Sequence, residues 1–165
     1  MLKKMSNERG FSLTELIVVV GMIGVLSLLA VPSLLTYWQT SSLSAGAEQL
    51  ASVLNRARQL AISRNSSVCV ERTGTAVRLR PTTVTPADCA GAVWTGVGTD
   101  GAGLIQIENS LQVSASTSSA IFTNAGGATT ATGLGAMPVT YSLTDPKTSR
   151  SRTVVVSTSG RVTIQ

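Results

Sequence analysis

Apolar and polar positions change their rhythm twice along this chain, and each change marks a different kind of element. From Leu16 to Leu35 there are 20 residues without a formal charge, mostly Val, Leu, Ile, Ala and Gly. At helical rise such a run is about 30 Å long, the thickness of a bilayer's hydrocarbon core. Thr36 to Ser42 is polar and less regular, with Tyr37 and Trp38 where interfacial aromatics sit at a membrane face. Leu43, Ala47, Leu50, Leu54, Ala57 and Ala61 then recur at alternating steps of four and three, a helical stripe. Glu48, Gln49, Asn55, Arg56 and Arg58 mostly lie off it. The pattern predicts one helix from Ser12 to Ser63, its first half in lipid and its second packed on a folded head. Pro32 lacks an N–H and crowds the carbonyl four residues earlier, so a bend or local melting is expected between Ile23 and Pro32.

From Ser66 the period shortens to two. Val68–Glu71 and Val77–Arg80 alternate on either side of Thr73-Gly74-Thr75, a hairpin signal. Further strands are expected at Ala92–Trp94, Leu104–Ile107, Leu111–Ser114, Ala120–Thr123 and Tyr141–Leu143. Thr153–Ser157 and Arg161–Ile164 flank Thr158-Ser159-Gly160 and read as a closing hairpin. Asn124 to Gly135, rich in Gly, Ala and Thr, reads as a flexible loop. One long helix followed by a run of strands implies an α+β fold, with a mostly antiparallel sheet packed on the helix.

The entrance to the apolar run carries the most specific motif. Gly10-Phe11-Ser12-Leu13-Thr14-Glu15-Leu16 follows a basic leader with Lys3, Lys4 and Arg9 against a single Glu8, and it sets a carboxylate at the membrane boundary. An ordinary secretory signal has a shorter apolar region followed by a small-residue cleavage site, whereas here the processing point precedes the run. These residues resemble the class III signal of type IV pilins and type II secretion pseudopilins. The resemblance implies cleavage after Gly10 by a prepilin peptidase and methylation of the new Phe11 amine. It also implies a role for Glu15 in filament assembly, pairing with that amine and with a neighbouring subunit's. Gly24 and Pro32 fall where many pilin stems carry a glycine and a helix-loosening proline. The head resembles the GspH/FimT group of minor pseudopilins and minor pilins, on Leu54-Asn55-Arg56-Ala57-Arg58, Ala61-Ile62-Ser63-Arg64-Asn65, Val68-Cys69-Val70 and Ser159-Gly160-Arg161-Val162. The chain therefore divides into a leader at 1–10, a transmembrane helix at 11–35, an amphipathic continuation at 36–65 and a β-rich head at 66–165. Other pilins or pseudopilins in a filament are the implied partners.

Charge and cysteines refine this picture. Lys3 and Lys4 ahead of the apolar run place the leader in the bacterial cytoplasm and the head in the periplasm, a single pass through inner-membrane lipid. The net charge of +5 falls to +3 when the leader takes away three positive charges and one negative. Two cysteines remain, Cys69 and Cys89, and two readings stay open: a bridge formed in an oxidising periplasm, or two separate buried thiols. The chain has no histidine, so the usual general base and the commonest metal ligand are missing. Its serines and threonines have no evident activating base, and Asp88, Asp100, Glu108 and Asp145 lack calcium-loop spacing. No catalytic residue, metal or cofactor is expected. Asp100-Gly101-Ala102-Gly103 reads as a turn, and neither Gly126-Gly127 nor Gly133-Leu134-Gly135 follows phosphate-loop logic. Lys147, Arg150, Arg152 and Arg161 form a basic cluster near the C-terminus, with Arg152 and Arg161 expected to approach across the last turn. Some FimT-like minor pilins bind DNA through a C-terminal Gly-Arg-x-Arg, so the resemblance makes DNA a candidate partner. Only Gly160-Arg161 matches, because Thr163 stands where the second arginine would be.

Overall fold

A computed structural model describes residues 11–82, 89–107, 111–116, 119–130 and 137–165. One helix, α1 (Leu13–Ser63), is followed by nine strands: β1 (Ser67–Thr73), β2 (Ala76–Thr82), β3 (Leu104–Gln106), β4 (Gln112–Ala115), β5 (Ser119–Phe122), β6 (Ala128–Thr130), β7 (Val139–Thr144), β8 (Ser151–Val156) and β9 (Val162–Ile164). The chain separates into two compact units, 1–38 and 39–165. The second half of α1 thus belongs with the strands.

Within that second unit the four-and-three stripe is the buried face. Leu43, Ala47, Leu50, Leu54, Ala57 and Ala61 are all in the core, joined by Val53. Against them pack Val68, Val70, Val77, Leu79 and Phe122 from one sheet and Val139, Tyr141, Leu143, Val154 and Val156 from another. Gly46 lets the helix come close: a Cβ there would run into Leu111 Cδ1. The helix ends in a Schellman cap. Ser66 N–H donates to Ala61 O at 3.1 Å and Asn65 N–H to Ile62 O at 3.2 Å, with Asn65 left-handed at φ 49°. Asparagine is the residue after glycine that tolerates this conformation, which explains a sharp stop without glycine.

The strands build two antiparallel sheets where the sequence pattern suggested one. Five strands run β3-β2-β1-β5-β6 and four run β4-β7-β8-β9. Tyr141 ties them together: the N–H of Ala120 on β5 donates to its hydroxyl at 3.2 Å. The expected strand at Ala92–Trp94 does not form. Only Trp94 N–H reaches β2, at Leu79 O, while the chain around it closes a disulfide-anchored loop that leaves no register for a ladder. Conversely, Ala128–Thr130, read as part of a flexible loop, is strand β6. Its small residues pair with β5, and pairing outweighs their weak propensity. Of the rest of that expected loop, 124–127 form the turn between β5 and β6, and 131–135 lie outside the described residues.

Candidate functional site

The N-terminal end of α1 is the first candidate. Ser12 O accepts the first helical bond from Leu16 N–H at 3.1 Å, so Ser12 is the N-cap and Glu15 stands in the first turn. A carboxylate there faces the positive end of the helix dipole, and Glu15 is exposed. Phe11 is 81% exposed, and Gly10 with the remaining leader lies outside the described residues. No large apolar side chain described between Phe11 and Trp38 is less than 43% exposed. A surface this apolar is far larger than a soluble monomer leaves in water, so it needs lipid or other helices over it. Among the described residues no single helix is long and apolar enough to cross a membrane, but Leu13–Leu28 and Ser33–Ser63 pass together as a bent pair. The break between the two legs, 29–32, contains Pro32, whose missing N–H takes one bond from the ladder. Gly24 keeps its N–H and lies inside the unbroken first leg, so it is not a break.

In the head, three arginine clamps hold loops that no hydrophobic pattern could have placed. Arg56 lies over the Trp94 ring at 4.6 Å from its centroid and donates to Val97 O at 2.6 Å. Arg58 donates through Nε to Gly126 O at 2.8 Å and through Nη2 to Ser159 O at 3.4 Å. Gly160 sits under it at φ 74°, where a Cβ would strike Gly126 O. Glu71 takes both Arg78, through Nε at 2.8 Å and Nη2 at 3.2 Å, and Arg80 Nε at 2.8 Å. The hydrogen bond from Arg78 is the largest cause holding the Glu71 carboxyl below its usual range. Arg80 also donates to Gly91 O at 2.9 Å, beside the Cys69–Cys89 bridge, whose Cα atoms are 5.4 Å apart. The Glu71 network was legible in principle. A hairpin centred on Gly74 puts Glu71 directly opposite Arg78.

The C-terminal cations do not form one cluster. Lys147 and Arg150 lie in the turn between β7 and β8, and Arg152 lies on β8 opposite Leu143. Arg161 is at the other end of β8, where Ser157 N–H donates to its carbonyl at 3.0 Å. Because Val156 faces Val162, Arg161 comes level with residue 157, five positions and about 17 Å along the strand from Arg152. The expected approach of Arg152 to Arg161 is therefore excluded by register. Asp100 caps its own turn, accepting from Ala102 N–H at 2.9 Å and Leu104 N–H at 2.8 Å. Among the described residues, no group of three or more His, Cys, Asp or Glu could hold a metal ion.

Residues 46–160 match the family model described as type II transport protein GspH, and residues 5–31 match the prokaryotic N-terminal methylation motif. Among solved structures, the type IV minor pilin FimU of Pseudomonas aeruginosa superposes with a TM-score of 0.56 at 16% identity, over 78% of this chain and 92% of that one. The minor pseudopilin EpsH from the type 2 secretion system of Vibrio cholerae gives a TM-score of 0.54 at 13% identity, over 75% of this chain and 96% of that one. No curated protein sequence matches.

Proposed function

The chain belongs to the GspH family, as a minor pilin or pseudopilin of a type IV pilus or a type II secretion system, and we propose that it acts mechanically, without catalysis. In this reading a prepilin peptidase cuts after Gly10 and methylates Phe11. The protein waits in the inner membrane as a single-pass subunit with its head in the periplasm, and it is then taken into a filament through its helix. The observation that carries the reading is a division of labour along α1. Its first half exposes every described large apolar side chain, while its second half is the buried spine of a closed β head. Such a helix can leave lipid for a bundle of like helices without disturbing the head, since the two halves belong to separate compact units.

Glu15 is assigned the register of that step. A carboxylate at the edge of hydrocarbon is costly unless paired, and the Phe11 amine created by cleavage supplies the partner in the same chain or in a neighbour. The test is Glu15→Ala followed through three readouts. Membrane insertion and loss of residues 1–10, read by mass spectrometry, should persist, while recovery of the protein in sheared filaments should fall. Incorporation equal to wild type would refute the register role. Finding the intact leader on functional protein would refute the processing.

A further inference from the structure

The turn between β7 and β8 is docked on α1 at a telling place. Arg150 Nη1 donates to Thr40 Oγ1 at 3.0 Å. Thr40 is five residues beyond Leu35, the last residue of the charge-free run, and two beyond Trp38. Five residues of chain, at about 3.3–3.6 Å each when fully extended, keep Thr40 within about 18 Å of the apolar run whatever their conformation. Lys147 and Arg152 flank Arg150, and all three are exposed. Among the described residues the ion pairs are those of Glu71 with Arg78 and Arg80, so Arg150 and Arg152 have no carboxylate partner, and Lys147 has only the more distant charge of Asp145. The one acid of the turn, Asp145, is turned inward: it is buried, and it accepts from Lys147 N–H at 2.9 Å and Thr148 Oγ1 at 2.8 Å. Thr40 occupies one of the five donors of Arg150, leaving the rest of the fork free.

We infer that Lys147, Arg150 and Arg152 form a site for the phosphates of anionic lipid headgroups, which holds the head against the membrane surface before assembly. The inference rests on the membrane-anchored reading above. Lipid is favoured over nucleic acid by position. The patch is bonded to Thr40, which five residues of chain tether to the apolar run, so it stays within reach of the membrane surface, where lipid phosphate is present at high local concentration. Arg161, which a longer polyanion would use, lies about 17 Å away along β8. Each basic side chain near an anionic surface is worth about fivefold in the ratio of docked to undocked head.

The experiment uses the full chain reconstituted in vesicles of phosphatidylcholine, with and without phosphatidylglycerol. Lys147 is the only lysine beyond residue 10, so an impermeant amine reagent with peptide mapping reads this turn alone. Labelling of Lys147 should be slower in anionic vesicles and recover at high salt. Arg150→Gln with Arg152→Gln should lower the docked ratio about 25-fold and abolish the protection. The corresponding double lysine variant should restore most of it, and Arg161→Gln should change nothing. A chain that floats with both vesicles but labels Lys147 at the same rate overturns the lipid site and leaves the anchoring intact. A chain that floats with neither overturns the anchoring itself. Retardation of duplex DNA by the wild type, with labelling indifferent to lipid charge, would assign the cations to nucleic acid and overturn the inference.

Discussion

Replacing Tyr141 by Phe gives a stability difference that reverses with pH, and the structure supplies both sides of it. The ring is fully buried between the two sheets, and its hydroxyl accepts the Ala120 N–H at 3.2 Å. Removing that oxygen leaves a buried N–H without a partner, which costs about 1–2 kcal/mol near neutral pH. At high pH the phenol becomes a liability. Burial, the largest cause, raises its pKa from 10.0 to about 12, because ionising it would put a charge in the core. A group whose pKa is raised on folding contributes stability that is whole below the unfolded value and is lost as pH climbs to the folded one. A rise of this size corresponds to about 2.7 kcal/mol, lost between about pH 10 and pH 12. The variant has no phenol to ionise. Wild type should therefore be the more stable protein at pH 8, meet the variant near pH 11, and fall below it towards pH 12. The fragment 39–165 suits the measurement, since Tyr37 is outside it and Tyr141 is its sole tyrosine. Urea unfolding at stepped pH gives the difference, and tyrosinate absorbance follows the ionisation directly. Parallel stability curves, or a folded fragment that forms tyrosinate with a midpoint near 10, would refute the buried-phenol argument.

Three further outcomes are expected. Leu50→Ala, at a site with no exposure in the centre of the helix stripe, should cost about 2–5 kcal/mol in urea unfolding while leaving leader cleavage unchanged. Cys69→Ala with Cys89→Ala opens a bridge between residues 20 apart and should cost about 3 kcal/mol, and alkylation of unreduced, unfolded wild type should label neither cysteine. Glu71→Gln should destabilise the head at pH 7 but not in acid. A carboxyl held below its ordinary 4.5 contributes stability above that value and loses it as pH falls through the lowered one, so the gap between the two proteins should close on acidification. A gap unchanged down to pH 2 would mean that Arg78 and Arg80 do not stabilise the charged form.

Periodicity determined a good deal by itself. A charge-free run followed by a four-and-three stripe predicts helix through two environments, because burial on a helix repeats every 3.6 residues whatever lies on the other side. The same logic placed β1, β2 and the β8–β9 hairpin, whose turns carry Gly74 and Gly160 between alternating runs. The Gly10–Leu16 motif was legible because its signal is local, a backbone without a side chain beside a carboxylate at a fixed distance. Other features depended on long-range pairing, which leaves no local trace. Trp94 has the residue type of a strand, yet it serves as a platform for Arg56 from a distant part of α1. Thr129 has the surroundings of a loop, yet it pairs with Ile121. The split of the strands into two sheets lies in long-range pairing, β5 with β1 and β4 with β7, and Tyr141 joins the two by reaching Ala120 across 21 residues of chain. The basic residues near the C-terminus are the clearest case. Closeness in sequence suggested one cluster, but an extended strand carries its residues apart at about 3.3 Å each, so β8 separates Arg161 from the others. The turn that precedes this strand brings Arg150 to Thr40, 110 residues away, a contact that only the folded chain could make.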